Sequence, residues 1–177
     1  MWVDVDPPRE LKPLWSRRAA EALGVLEACA GAPAEALGLI FPGVEELLRI
    51  LRHTGHVRRC YLPGYEALWV PSSVPLPTVE SYPCRLALGW AICRAVQAGL
   101  RVSRGHIRFS DGKVFRVVCY PGMAGSGKLL VVSTTGEQPR DLTGAWLFTT
   151  LAALQARAFT EALAANRAGA GSLQALL

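Results

Sequence analysis

Two sets of side chains in this sequence could do chemistry: carboxylates, histidines and thiols that could activate water or hold a metal, and arginines that could hold phosphate. The second half offers the acids Glu80, Asp111, Glu137 and Asp141. A metal-dependent nuclease needs carboxylates on adjacent strands and a lysine near them to help activate water. The strand-like runs V-F-R-V-V-C-Y (114–120) and L-L-V-V-S-T-T (129–135) contain no acid, so the four carboxylates fall at turns and element ends. His53, His56 and His106 have no ligand spacing with cysteine or with one another, and Ser133 has no evident base. Cys29, Cys60, Cys84, Cys93 and Cys119 contain no C-x-x-C pair. Neither a zinc site nor a disulfide framework is expected, and all five read as buried or idle thiols of a reducing compartment. G-M-A-G-S-G-K-L (122–129) comes close to a phosphate-binding P-loop. Leu129 stands where the magnesium-holding hydroxyl belongs, and a strand rather than a helix follows. The sequence therefore predicts no catalytic set, no metal site and no cofactor.

The arginines are more informative. Between Arg49 and Arg59 the cations are Arg49, Arg52, Arg58 and Arg59, joined by His53 and His56, with no acid in the run. Val44, Leu47, Leu48 and Leu51 make an apolar stripe at helical period, and Arg49, Arg52 and His53 lie off it. Phosphate oxygens are natural partners for such a face, and arginine can also read guanine edges. A plain solvated helix face is the competing reading. Glu45 and Glu46 sit in the first turn, where they oppose base reading and equally stabilise the helix start. A second group, Arg101, Arg104, Arg108, Lys113 and Arg116, spans sixteen residues with Asp111 as its only acid. Alternation along 114–120 puts Arg116 on the less buried face, with Arg108 expected beside it across the Asp111-Gly112 turn. Strand cations also discourage edge-to-edge aggregation. The candidate DNA-contacting residues are Arg49, Arg52, His53, His56, Arg58, Arg59, Arg108, Lys113 and Arg116.

The elements that must position these residues follow from periodicity and punctuation. Residues 1–15 form an arm with Pro7, Pro8 and Pro13, and Trp2 and Trp15 are expected to dock on the body. Ser16 is an N-cap for a helix from Arg17 to about Ala30. Pro33 opens a short helix, Ala34–Ile40, and Pro42-Gly43 turns the chain into a third, Val44–Thr54, which Gly55 stops. The period then changes to two over 56–62 and 66–70, a hairpin joined by Pro63-Gly64-Tyr65. Three helices followed by a hairpin is winged helix-turn-helix order, assigned to residues 16–71. Residues 72–77 read as a proline-rich linker. Residues 78–168 read as a small α+β domain: a helix over Thr78–Gly99, three strands near 106–109, 114–120 and 129–134, and a helix over Ala145–Ala165 capped by Asp141 or Thr143. Residues 169–177 are a tail. The fold class is thus α+β, a winged helix-turn-helix followed by a helix–three-strand–helix domain.

Composition bounds the rest. The chain has 177 residues, 51% of them apolar and 19% charged, which excludes a disordered chain. No apolar run is long enough to span a bilayer, and the first residues carry no secretory signal pattern, so a cytoplasmic protein without a membrane partner is expected. The net charge is +5. Residues 1–77 carry 8 Lys/Arg against 9 Asp/Glu, and residues 78–177 carry 11 against 5. Any extended polyanion-binding surface must therefore draw on the second half.

The segments L-G-L-I-F-P-G (37–43), L-L-R-I-L-R-H-T-G-H-V-R-R (47–59) and L-W-V-P (68–71) carry a resemblance. They are similar to the winged-helix domain of the replication-relaxation family of plasmids and integrative elements. The resemblance implies a DNA-binding protein accessory to plasmid replication or conjugative transfer, or a transcriptional regulator. It also implies a restriction-endonuclease-like second domain. V-V-S-T-T-G-E-Q-P (131–139) lies where that domain would carry an acidic strand, and Val132 and Ser133 in place of acids imply an inactive form. The expected partner is double-stranded DNA, with a second copy or a replication or transfer protein beside it. The alternatives are a metal-dependent endonuclease with displaced acids, Asp111 and Glu137, and a winged helix that binds protein.

Overall fold

A computed structural model describes residues 2–121, 127–139 and 146–164. Ser16 opens α1 (Arg17–Cys29), its hydroxyl accepting from Ala19 N at 3.2 Å. Ala19, Ala22, Leu26 and Cys29, at three- and four-residue intervals, form its buried face. β2 (Ala32–Pro33), α2 (Ala34–Gly38) and α3 (Val44–His53) follow. α3 buries Leu47, Leu48 and Leu51, each worth about 1.5–3 kcal/mol when fully buried. β3 (Val57–Tyr61) and β4 (Leu68–Pro71) then form the expected hairpin, with Val57 opposite Pro71 and Cys60 opposite Leu68. β4 lies between β3 and β2, and β1 (Asp4–Val5) pairs with the outer edge of β3. Neither two-residue strand has a sequence signal, because two residues are too few to show a period.

α4 (Tyr82–Gln97) is apolar on most of its circumference, and it is buried accordingly. It packs against α1, α2 and β2, and also against β5 (Arg101–Ser103), β7 (Val114–Tyr120) and β8 (Leu129–Ser133). Gly89 permits the closest of these approaches. A Cβ there would stand 2.8 Å from Ala32 Cα and from Gly31 O, so no side chain fits between α4 and β2. The Tyr82 hydroxyl, fully buried, accepts from Leu68 N at 3.1 Å and donates toward Cys60 O at 2.8 Å. It thereby ties the start of α4 to the hairpin, and burial pushes its pKa up to about 12. One buried cluster runs from Ala19 to Leu163 without a break at 72–77. That segment is itself docked, with Ser72 N donating to His56 O at 2.8 Å and Ser72 Oγ to Gly55 O at 2.6 Å.

The second sheet has the order β5-β6-β7-β8-β9, with β6 at His106–Arg108 and β9 at Trp146–Thr150. Its first three strands are antiparallel and its last three parallel. Two short helices, α5 (Leu151–Ala156) and α6 (Phe159–Ala164), close the described chain. The described residues thus hold six helices and two sheets in a mixed α+β fold. Among them, no helix is long and apolar enough to cross a membrane.

Four expectations are corrected. The second sheet has five strands rather than three. β5 is missed because R-V-S holds one apolar residue and Arg104-Gly105 is not a familiar hairpin pair. The single helix expected over 145–165 is instead a strand and two short helices. W-L-F-T-T is aromatic and β-branched, and Thr150 then caps α5 by accepting from Ala153 N at 3.1 Å. Asp141, Thr143 and residues 165–177 lie outside the described residues. Trp2 and Trp15 do not dock; they are 79% and 91% exposed. The cysteines are not all idle: Cys84, near the start of α4, and Cys119, near the end of β7, form a disulfide with Cα atoms 5.4 Å apart. A spacing of 35 residues gives no sequence signal for it.

Candidate nucleic-acid interface

The cations of α3 and β3 sit close together, but most are engaged within the chain. Arg49 donates from Nε and Nη2 to Glu46 at 2.8 and 2.7 Å. This contact holds the Glu46 carboxyl below, and the Arg49 guanidinium above, their ordinary ranges. Both side chains remain largely exposed, 73% and 59%, so the pair is weak and separable. Arg52 is held more firmly. Its Nη2 donates to Asp6 Oδ1 at 2.7 Å, and its Nε lies 2.7 Å from Oδ2. Arg58 Nε donates to Asp6 O at 3.0 Å, and Arg59 N donates to Asp6 Oδ2 at 3.2 Å. His56 Nε2 donates to Lys12 O at 3.0 Å. Asp6 and Lys12 lie on the N-terminal arm, which β1 pairing lays along β3. The arm also closes over Gly55 (φ +78°), where a Cβ would stand 2.6 Å from Glu10 O. His53 and the Arg59 guanidinium stay exposed.

The cations of the second sheet are arranged otherwise. Antiparallel partners share a face, and the register sets Arg101 opposite Arg108, Arg108 opposite Val114, and His106 opposite both Ser103 and Arg116. The ladder expected between Arg108 and Arg116 is therefore corrected: Arg116 faces His106, and Arg108 faces Arg101 and Val114. Arg101, His106, Arg108 and Arg116 nevertheless stand on one exposed face, while Ile107, Phe115 and Val117 fill the other, buried one. None of Arg101, Arg104, Arg108 and Arg116 has an ion-pair partner among the described residues. Lys113, expected here, instead pairs with Asp111 at 2.7 Å in the β6–β7 turn, which holds the Asp111 carboxyl low. Arg101 and His106 complete the face, and the matching centres Val102 and Ile107 of two three-residue runs were the signal that could have placed them. Farther along the sheet the same face turns apolar, with Val118, Leu129, Val131 and Phe148 buried together.

Elsewhere the chemistry is quiet. Burial pushes the Cys29 thiol up to about 12 and the Cys60 thiol to about 11, and raises Cys93 well above its ordinary value, so none is a thiolate at neutral pH. Ser133 is buried with its Oγ accepting from Gly136 N at 3.0 Å, a turn contact rather than a nucleophile's setting. Among the described residues no group of three or more His, Cys, Asp or Glu side chains could hold a metal ion. The arrangement as a whole can bind anions. Comparison with protein-family models, with curated proteins and with solved structures gives no match to this chain.

Proposed function

We propose that this chain is a non-enzymatic DNA-binding protein whose residues 16–71 act as a winged helix-turn-helix. The observation that carries the reading is connectivity: α1, β2, α2, α3, β3 and β4 occur in that order, with β2 paired to β4. In such a unit the first inter-helix strand closes the sheet of the hairpin, leaving α3 and the hairpin tip as the reading surface. Arg49, His53 and Arg59 are the exposed cations there, and Arg52, His56 and Arg58 brace the arm. The similarity of residues 37–43, 47–59 and 68–71 to the replication-relaxation family extends the proposal to a mobile element, in replication, transfer or their control. Fluorescence anisotropy with a labelled duplex at several salt concentrations tests it. Affinity falling linearly with salt on a log–log plot is expected, and no binding at the lowest salt would remove the reading. A protein-binding module is the second reading, favoured by the exposed Trp2, Leu11 and Trp15 of the arm, 79%, 66% and 91% exposed.

A further inference from the structure

The outward face of β5–β7 brings two arginines into direct opposition and sets a third against an imidazole. Arg101 faces Arg108 across one strand pair, and His106 faces Arg116 across the next. Like charges directly opposite destabilise an antiparallel pair. No carboxylate among the described residues relieves them. Protection of a sheet edge explains only part of the pattern. β5 is the edge strand, but Arg108 and Arg116 lie on the interior strands β6 and β7, whose backbone groups are already paired.

We propose that this face is a second contact surface, which grips the phosphate backbone of duplex DNA without reading its sequence. The inference rests on the DNA-binding reading and deepens it. Three features select this occupant. The cations are spread rather than convergent, about 4.8 Å apart across strands and roughly 6.7 Å apart along one, which suits a row of phosphates better than a single anion. Phe109 and Phe115 are buried and Tyr120 is half-buried against Val118, so the His106 imidazole is the one freely exposed ring on β5–β7, too little for a run of unpaired bases to stack on. The exposed non-cationic neighbours are Ser103 and Val114, which lack the amide and carboxylate groups that pair with adenine and cytosine edges. α3 and the hairpin tip would supply orientation and sequence preference, and the sheet would supply salt-sensitive affinity common to all duplexes.

The test uses the full chain and short duplexes of two unrelated sequences, titrated across salt. The variant Arg101→Gln/Arg108→Gln/Arg116→Gln should lower the log–log slope by about 0.9 per arginine, roughly 2.7 in all. Raising salt from about 50 to about 200 mM should then cost it roughly 40-fold less affinity than the wild type loses. The drop should be equal on both sequences, and the matching lysine variant should keep the wild-type slope. Should the triple variant fail to fold, Arg116→Gln alone should still lower the slope by about 0.9. An unchanged slope in a folded variant overturns the proposal and leaves the winged-helix reading standing, with Arg49→Gln/Arg59→Gln then expected to carry the loss. A loss confined to one sequence overturns the sequence-independent role. Loss of binding to phosphatidylserine vesicles with DNA binding intact would assign the face to a lipid surface instead. A wild type that binds neither duplex removes the function and the inference together.

Discussion

Residues 49–59 and 101–116 each hold four arginines, and the two groups differ in what stands opposite them. In the first, Arg49 meets Glu46 one helical turn back, the Arg52 guanidinium meets the Asp6 carboxylate, Arg58 meets the Asp6 backbone carbonyl, and Arg59 meets Asp6 through its backbone N–H alone. In the second, Arg101, Arg104, Arg108 and Arg116 meet no acid among the described residues, and two of them face each other. Equal density of charge thus gives a brace in one place and an open cationic face in the other. The first region ties part of its charge to the arm; the second holds its arginines without a described ion pair, at a small cost to the fold.

That contrast can be broken or sharpened by substitution. The largest effect belongs to Gly55→Ala. The left-handed backbone costs an alanine about 1–2 kcal/mol, and the clash with Glu10 O adds about 1–3 kcal/mol unless the arm leaves. Urea denaturation should show a loss in that range, and a wild-type midpoint would mean that the arm does not rest on Gly55. Asp6→Ala comes next. It leaves the half-buried Arg52 without its carboxylate and should cost about 1–3 kcal/mol. A loss near zero would make the first region as open as the second.

The same kind of change in the sheet should go the other way. Arg101→Gln/Arg108→Gln removes a like-charge pair and should leave stability unchanged or raise it by about 0.2–1 kcal/mol. Clear destabilisation, read by the same denaturation, would show that these arginines also have a structural partner. The smallest effect is expected at Glu46 and Asp111, whose carboxyls are held low by Arg49 and Lys113. A carboxyl with a depressed folded pKa contributes stability above its unfolded value and loses it as pH falls through the folded one. Glu46→Gln should therefore leave the melting temperature at neutral pH nearly unchanged and slightly flatten its fall below the ordinary carboxylate range. Glu46→Gln should also free Arg49, so an unchanged DNA affinity at low salt would argue against that residue as a contact.

The sequence by itself determined what chain neighbours decide. Ser16 as N-cap, the α3 stripe ending at Gly55, the 57–71 hairpin and the Asp111-Gly112 turn all follow from capping, period and turn chemistry within a few residues. The failures have one physical cause, which is that partners distant in sequence leave no local mark. β1 and β2 are strands only because β3 and β4 offer them free edges. Residues 146–150 are a strand because β8 lies beside them, although the apolar residues that follow suit a helix equally well. Cys84 and Cys119 meet because α4 crosses β7. Which arginines are free was also beyond the sequence: Asp6 stands 46 residues from Arg52, and β1 pairing with β3 brings them within 2.7 Å. The sequence located both groups of charge, and the tertiary structure decided their roles, because a cation is available to a ligand only where the fold has placed no carboxylate against it.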